Sequence, residues 1–302
     1  MDNTAINSGI LCMDKPAGFT SFDVVAKLRG ILGIRKIGHM GTLDPMATGV
    51  LVVLIGNAAR ASDITSFHDK RYRAGFRMGA VSDTQDITGN VTETGASLPD
   101  ADALRSAVDT FLGDIEQIPP MYSAVQINGK RLYQLAREGK TVERKSRSAT
   151  IYELITEDYD PVTGEGTVMA YVSKGTYIRT LINDIGEKCG CGAVMTSLRR
   201  IYANGFDISQ CHSFDELQQI KNGDGDFSKV LLPTDMLFSD LDGITLSEKM
   251  TQRYLNGAPV SPEIPEGSEK ELFRIYDCDK EFLGIGQFDR ETNELRVKKN
   301  LR

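Results

Sequence analysis

Long hydrophobic runs, a basic leader, paired cysteines and clustered histidines are all missing from this 302-residue chain. Its most apolar run, VLVVLI at 50–55, is six residues against the ~20 that span a bilayer, so no membrane attachment is expected. Residues 1–9 hold neither a basic nor an apolar segment, which argues against export. The five cysteines, Cys12, Cys189, Cys191, Cys211 and Cys278, are odd in number and scattered. That pattern suits a reducing cytoplasm and not a disulfide framework. Cys189 and Cys191 are one residue apart, too close for a zinc knuckle, and His39, His68 and His212 form no ligand pattern near them; no metal is expected. The glycines fit neither a phosphate loop nor a dinucleotide fingerprint. No internal repeat or low-complexity tract is present, and 40% hydrophobic with 25% charged residues is the make-up of a folded chain.

Acid is in excess, with 42 acidic against 35 basic side chains and a net charge of -7, which excludes a uniformly basic nucleic-acid coat. The excess is local. Residues 1–206 carry 23 of each sign, whereas residues 207–302 carry 12 basic and 19 acidic side chains. Basic residues cluster in the first part: Lys27, Arg29, Arg35 and Lys36; Lys70, Arg71, Arg73 and Arg77; and seven basic against two acidic between 130 and 147. Such clusters could meet phosphates or simply be solvated faces.

Periodicity gives an α+β protein. Residues 9–13 read as a strand. Thr20 and Asp23 are spaced as a capping box for a helix with Val24, Leu28, Ile31 and Leu32 on one face, closed by Gly33. The run at 50–55 reads as a core strand, 72–78 as a half-buried strand, and Leu104, Val108 and Phe111 as a helix after Pro99. Paired prolines make 118–129 an extended loop and strand. Residues 165–173 read as a strand, and Ile178, Leu181, Ile182 and Ile185 share a helical face ending near Gly190. A boundary falls between about 226 and 245, followed by a short helix at 247–256 and strands near 272–276, 282–288 and 295–298. The expectation is a mixed, largely antiparallel sheet with flanking helices over 1–240, and a small β-rich domain over 241–302.

Asp44 draws attention because it lies in the loop GHMGTLDPMATG at 38–49, whose glycines let the backbone approach a ligand and which feeds a rigid core strand. An Asp-Pro pair is also an ordinary turn starter. Four strings then carry a resemblance: DKPAGFTSFDVV with GHMGTLDPMATGVL; KRYRAGFRMGAVSDTQD; QIPPMYSAVQINGKRLYQLAREG; and VSKGTYIRTLINDIGEKCGCGAVMTSLRR. In this order, between about 9 and 200, they closely resemble the TruB family of tRNA pseudouridine synthases. The last 50 to 60 residues are similar, more weakly, to the PUA-type RNA-binding module. Cys12 and Met13, in place of bulkier aliphatics, and Ser82, in place of threonine, are mild departures.

The resemblance implies isomerisation of a T-loop uridine of tRNA, conventionally numbered 55, to pseudouridine by base flipping, cleavage of the N1–C1′ bond and reattachment through C5, without a cofactor. It implies that Asp44 is the nucleophile, with Arg179 its cationic partner and Tyr72 stacked on the uracil. It also implies that Tyr177 and Leu198 line the base pocket, that His39 fills space left by the extruded nucleotide, and that Lys15 and Pro16 support the loop. Arg71, Arg73 and the 130–147 segment become candidates for gripping the T arm. The expected partner is tRNA. No obligatory protein partner is expected, and the chain is expected to be a monomer. RNA is expected across a basic face of the first domain, with the acidic outer surface of the C-terminal region, 207–302, turned to solvent. From helical periodicity alone, Arg179 reads as a surface residue. Two other readings stay open: an RNA-binding module without catalysis, and the catalytic subunit of a guide-RNA particle.

Overall fold

The computed structural model describes residues 8–65, 67–123, 125–127 and 129–302; Ala124 and Asn128 of the expected 118–129 stretch lie outside the described residues. The chain begins with β1 (Ser8–Lys15), α1 (Ser21–Leu32), β2 (Ile37–Met40), β3 (Thr48–Gly56) and β4 (Lys70–Met78). A ribbon of β5 (Ala80–Ser82) and β6 (Val91–Glu93) leads to α2 (Ala101–Asp109) and β7 (Gly113–Gln117). A second ribbon of β8 (Gln126–Ile127) and β9 (Lys130–Arg131) precedes α3 (Leu132–Arg137). Then come β10 (Arg147–Tyr159), β11 (Glu165–Val172), α4 (Ile178–Lys188), β12 (Ala193–Ala203), β13 (Phe206–Asp207) and α5 (Phe214–Asn222). The last part holds β14 (Gly243–Thr245), α6 (Glu248–Leu255), β15 (Leu272–Tyr276), β16 (Phe282–Asp289) and β17 (Glu294–Asn300).

Strands β1-β3-β12-β4-β11-β10-β7 form the main sheet in that order, with β2 paired to β3 and β13 to β12. Its pairings are antiparallel except β3 with β12, which run parallel at Arg199↔Thr48 and Arg200↔Gly49. The unbroken apolar run at 50–55 follows from burial on both faces. Leu51, Val53 and Ile55 pack with Val24, Leu28 and Ile31 of α1 and with Leu217 of α5. Val50, Val52 and Leu54 pack on the other side with Leu237, Phe238, Ile285 and Leu301. Further along the sheet, Tyr72, Ala74, Phe76 and Met78 of β4 join α2 and α4 through Leu104, Val108, Leu181, Ile182 and Ile185. The chain is thus α+β, mainly antiparallel.

Helix α1 begins and ends as its sequence dictates. The Asp23 N–H donates to Thr20 Oγ1 at 3.0 Å and the Thr20 N–H donates to Asp23 Oδ2 at 2.8 Å. Gly33 closes the helix at φ 70°, its N–H donating to the Arg29 carbonyl. Strands β14-β15-β16-β17 make a second, four-stranded sheet, with a core of Ile244, Tyr254, Phe273, Ile275, Leu283 and Leu295.

Candidate active site

Asp44 is carried by residues 41–47, which join β2 to β3, and this loop is held from three sides. The N–H of Leu43 donates to Ser21 Oγ at 2.9 Å and the N–H of Gly18 donates to the Pro45 carbonyl at 2.8 Å. Lys15, fully buried, gives its ammonium to the carbonyls of Phe19 (2.6 Å), Pro16 (2.9 Å) and Pro45 (3.3 Å). Burial pulls Lys15 down to about 8, against the attraction of Asp44. From below, Arg200 donates through Nη2 to the Gly41 carbonyl at 2.8 Å and through Nε to the Val50 carbonyl at 2.7 Å. Gly49, at φ 100°, lets β12 come this close, since a Cβ there would stand 2.1 Å from the Arg200 carbonyl oxygen.

The electrostatic centre is Arg179. It lies in the first turn of α4 but points inward, and only 5% of it is exposed. Its Nε stands 3.0 Å from Asp44 Oδ2 and its Nη1 3.4 Å from Asp86 Oδ2. The rest of the fork is spent on main chain, with Nη1 donating to the Thr84 carbonyl at 3.0 Å and Nη2 to the Tyr122 carbonyl at 2.8 Å. Asp86 is held in turn by Thr84 Oγ1 at 2.8 Å and the Thr88 N–H at 2.9 Å. A planar guanidinium anchored at three other points, Asp86 and the Thr84 and Tyr122 carbonyls, can present its Nε–H to the Asp44 carboxylate in fixed geometry. Burial pushes the Asp44 carboxyl above its usual range; Arg179 works against this, Asp86 adds to it, and Lys15 opposes it.

These groups face a cleft of about 280 Å³ lined by Asp44, Tyr72, Tyr177, Arg179, Leu198 and their neighbours, among them Gly41, Lys70 and Ser123. Tyr72 is buried on β4, and Leu198 lies opposite Ala74 across the β12–β4 ladder. Tyr177 caps α4, fixed by Gln117, whose Oε1 accepts from the Tyr177 N–H at 3.0 Å and whose Nε2 donates to the Tyr177 carbonyl at 3.3 Å. The lining therefore combines the apolar and aromatic side chains of Tyr72, Tyr177 and Leu198 with the Asp44–Arg179 pair and the polar Lys70 and Ser123.

Of the residues singled out in the sequence, the fold gathers Asp44, Tyr72, Tyr177, Arg179 and Leu198 around one cleft. Lys15 lies behind the loop. His39, in β2, has a buried Nδ1 that meets no hydrogen-bond partner among the described residues; burial, then the Arg200 charge, holds its pKa down. Arg71 and Arg73 alternate with Tyr72 along β4 and so project from the opposite face. Arg71 packs over the Tyr171 ring, 4.6 Å from its centroid, and Arg73 pairs with Glu157, so neither reaches the cleft. Asp86, Lys70, Ser123 and Arg200 were missed as site residues. Asp86 sits in the SDTQD tail and Ser123 in the PPMYSA string, both visible in the sequence; Lys70 and Arg200 looked like members of basic runs.

Comparison with known proteins bears on this arrangement. A model of the N-terminal domain of TruB family pseudouridylate synthases matches residues 29–178, a model of the tRNA pseudouridylate synthase B C-terminal domain matches 179–239, and a model of the C-terminal part of pseudouridine synthase II TruB matches 243–298. The chain is 39% identical over 299 residues to tRNA pseudouridine synthase B of Clostridium novyi (strain NT), covering 97% of this chain and 99% of the relative. The chain belongs to the TruB family. It is also 43% identical over 258 residues to tRNA pseudouridine synthase B of Oenococcus oeni, covering 83% and 85%. A crystal structure of a Cbf5-Nop10-Gar1 complex superimposes with a TM-score of 0.75 at 25% identity, over 99% of this chain and 86% of that one. This TruB family member is a pseudouridine synthase by family. No helix among the described residues is long and apolar enough to cross a membrane.

Proposed function

We propose that this chain converts the T-loop uridine of tRNA, conventionally numbered 55, to pseudouridine. One observation carries the reading: the Asp44 carboxylate, 3.0 Å from Arg179 Nε, stands on the floor of the same cleft as Tyr72. The name borne by the relatives, tRNA pseudouridine synthase B, supports tRNA as the substrate. A uridine in a folded T loop cannot offer C1′ and C5 while stacked, so it is extruded into the cleft at a cost of a few kcal/mol. Tyr72 receives it by stacking, worth ~1–3 kcal/mol per base, and Leu198 and Tyr177 bound the base. Asp44 is the nucleophile, attacking either the anomeric carbon or the uracil ring. Arg179 keeps it ionised in a site that would otherwise favour the acid. The N1–C1′ bond breaks, uracil turns in place, and C5 bonds to C1′ as the C5 proton leaves to solvent while N1, freed from the sugar, takes up a proton. Atoms balance without a co-reactant, so no cofactor is required.

We also read residues 1–240 as the catalytic domain and 241–302 as a PUA-like RNA-binding domain, in a monomeric cytoplasmic enzyme without an obligatory protein partner. The test is incubation of tRNA transcript carrying 5-tritiated uridine. One tritium released per tRNA is expected from the wild type and none from Asp44→Asn; full turnover by Asp44→Asn overturns the nucleophile. Conversion by the purified chain with no guide RNA or protein added separates this reading from a subunit resembling those in the Cbf5 complexes. Unchanged tRNA after stoichiometric incubation favours the RNA-binding module instead.

A further inference from the structure

One end of the cleft carries charge that the proposed reaction leaves unused. Lys70 lines the cleft beside Gly41, and its ammonium donates to the His68 carbonyl. Behind it lies Arg200, fully buried, whose Nη1 has no acceptor among the described residues. The two cations converge under Gly41. A methyl group at that position would stand 3.3 Å from Arg200 Nη1 and 3.4 Å from Lys70 Cε. Among the described residues, no carboxylate lies within ion-pair distance of either; Arg199 beside them takes Asp14, and Arg179 takes Asp44 and Asp86. Burial first, and Arg200 second, pull Lys70 down to about 8, while Asp69 opposes and Lys174 adds to the shift. A fully buried guanidinium and a half-buried ammonium without a carboxylate partner are costly in the free protein, and an arriving anion relieves that cost.

The uridine assigned to the cleft under the proposed function brings anions with it, because a phosphodiester flanks its ribose on each side. We infer that Lys70, with Arg200 behind it, binds one of these two phosphodiesters and thereby sets how far the nucleotide enters the cleft. Lys70 is then a substrate-binding group distinct from the acid–guanidinium pair. The inference rests on the proposed function, and its test is separable from it.

The experiment measures binding of T-arm RNA to the full chain, wild type and Lys70→Met, with each flanking phosphate replaced in turn by a neutral methylphosphonate. At one of the two positions the replacement is expected to weaken wild-type binding about tenfold, to leave Lys70→Met binding unchanged, and so to reveal coupling. Lys70→Met should also lower the slope of log affinity against log salt by about 1, and Lys70→Arg, always charged, should keep the coupling. Equal losses in wild type and Lys70→Met at both positions overturn the phosphate site. So does a wild type indifferent to both replacements, a result that needs no folded variant. Conversion of unmodified tRNA by the wild type tests the underlying function separately, so an enzyme that converts tRNA without coupling loses only this inference.

Discussion

Asp44 is asked to be an anion where burial favours the acid, and that tension has measurable consequences. Its pKa is raised in the folded protein, so any stability the carboxyl lends is present below the unfolded value of about 3.8 and is lost as pH rises through the folded value. Asp44→Asn is therefore expected to melt above the wild type at pH 7, with the gap closing as pH falls toward 4; thermal melts across that range check it. For the same reason the acid limb of kcat/KM should lie above the ordinary carboxylate range. Asp86 anchors Arg179 and raises Asp44 by its charge. Asp86→Asn should accordingly move that limb to lower pH. It should also cut kcat roughly 10- to 100-fold, the loss of a charge-assisted hydrogen bond worth ~1.5–3 kcal/mol. An acid limb that stays in place shows that Asp86 is not electrostatically coupled to Asp44.

The elements that hold the site were unevenly legible. Helix α1 could be read to the residue, since Thr20, Asp23 and Gly33 act through bonds only a few positions long; Thr20→Ala should cost about 1 kcal/mol in a denaturant melt. The core strand β3 announced itself by composition, and α4 by its apolar face. Strands β10 and β12 and helix α5 were not read as elements, for a physical reason. β10 is half-exposed and charged, and β12 carries Arg199 and Arg200 within a strand whose burial depends on partners far away in sequence. Periodicity likewise put Arg179 at the surface, because a helical wheel counts polarity and cannot know that Asp86, Thr84 and Tyr122 wait inside. Only the family resemblance pointed to it. Gly49 shows the converse, a residue whose need is set entirely by tertiary approach. Gly49→Ala forces a Cβ 2.1 Å from the Arg200 carbonyl oxygen at φ 100°. A loss of roughly 3 kcal/mol or more is expected, and a melting temperature within a degree or two of wild type would contradict it.

For the whole molecule, the four-stranded sheet is a second core that also serves as a lid on the first. Ile285 and Leu301 complete the apolar layer over Val50, Val52 and Leu54. Tyr276 donates to Asp235 at 2.7 Å and Lys299 pairs with Asp63 at 2.9 Å. A chain cut after residue 240 would bare one face of β1 and β3, the strands that support the loop bearing Asp44. It is expected to melt lower and aggregate, and the full chain to unfold in one calorimetric transition; two separate transitions would mean that the halves stand alone. The parallel seam between β3 and β12 adds a dimension of time. Thr48 pairs with Arg199, so about 150 residues must be made after the Asp44 loop before its clamp exists, roughly 8–30 s at 5–20 residues per second. For most of that interval the nascent chain carries both Asp44 and Tyr72 but lacks the β12 clamp that holds the Asp44 loop. Under the proposed function, modification therefore begins only once synthesis has passed residue 200, about two-thirds of the 302-residue chain, and a ribosome stalled before that point leaves tRNA untouched.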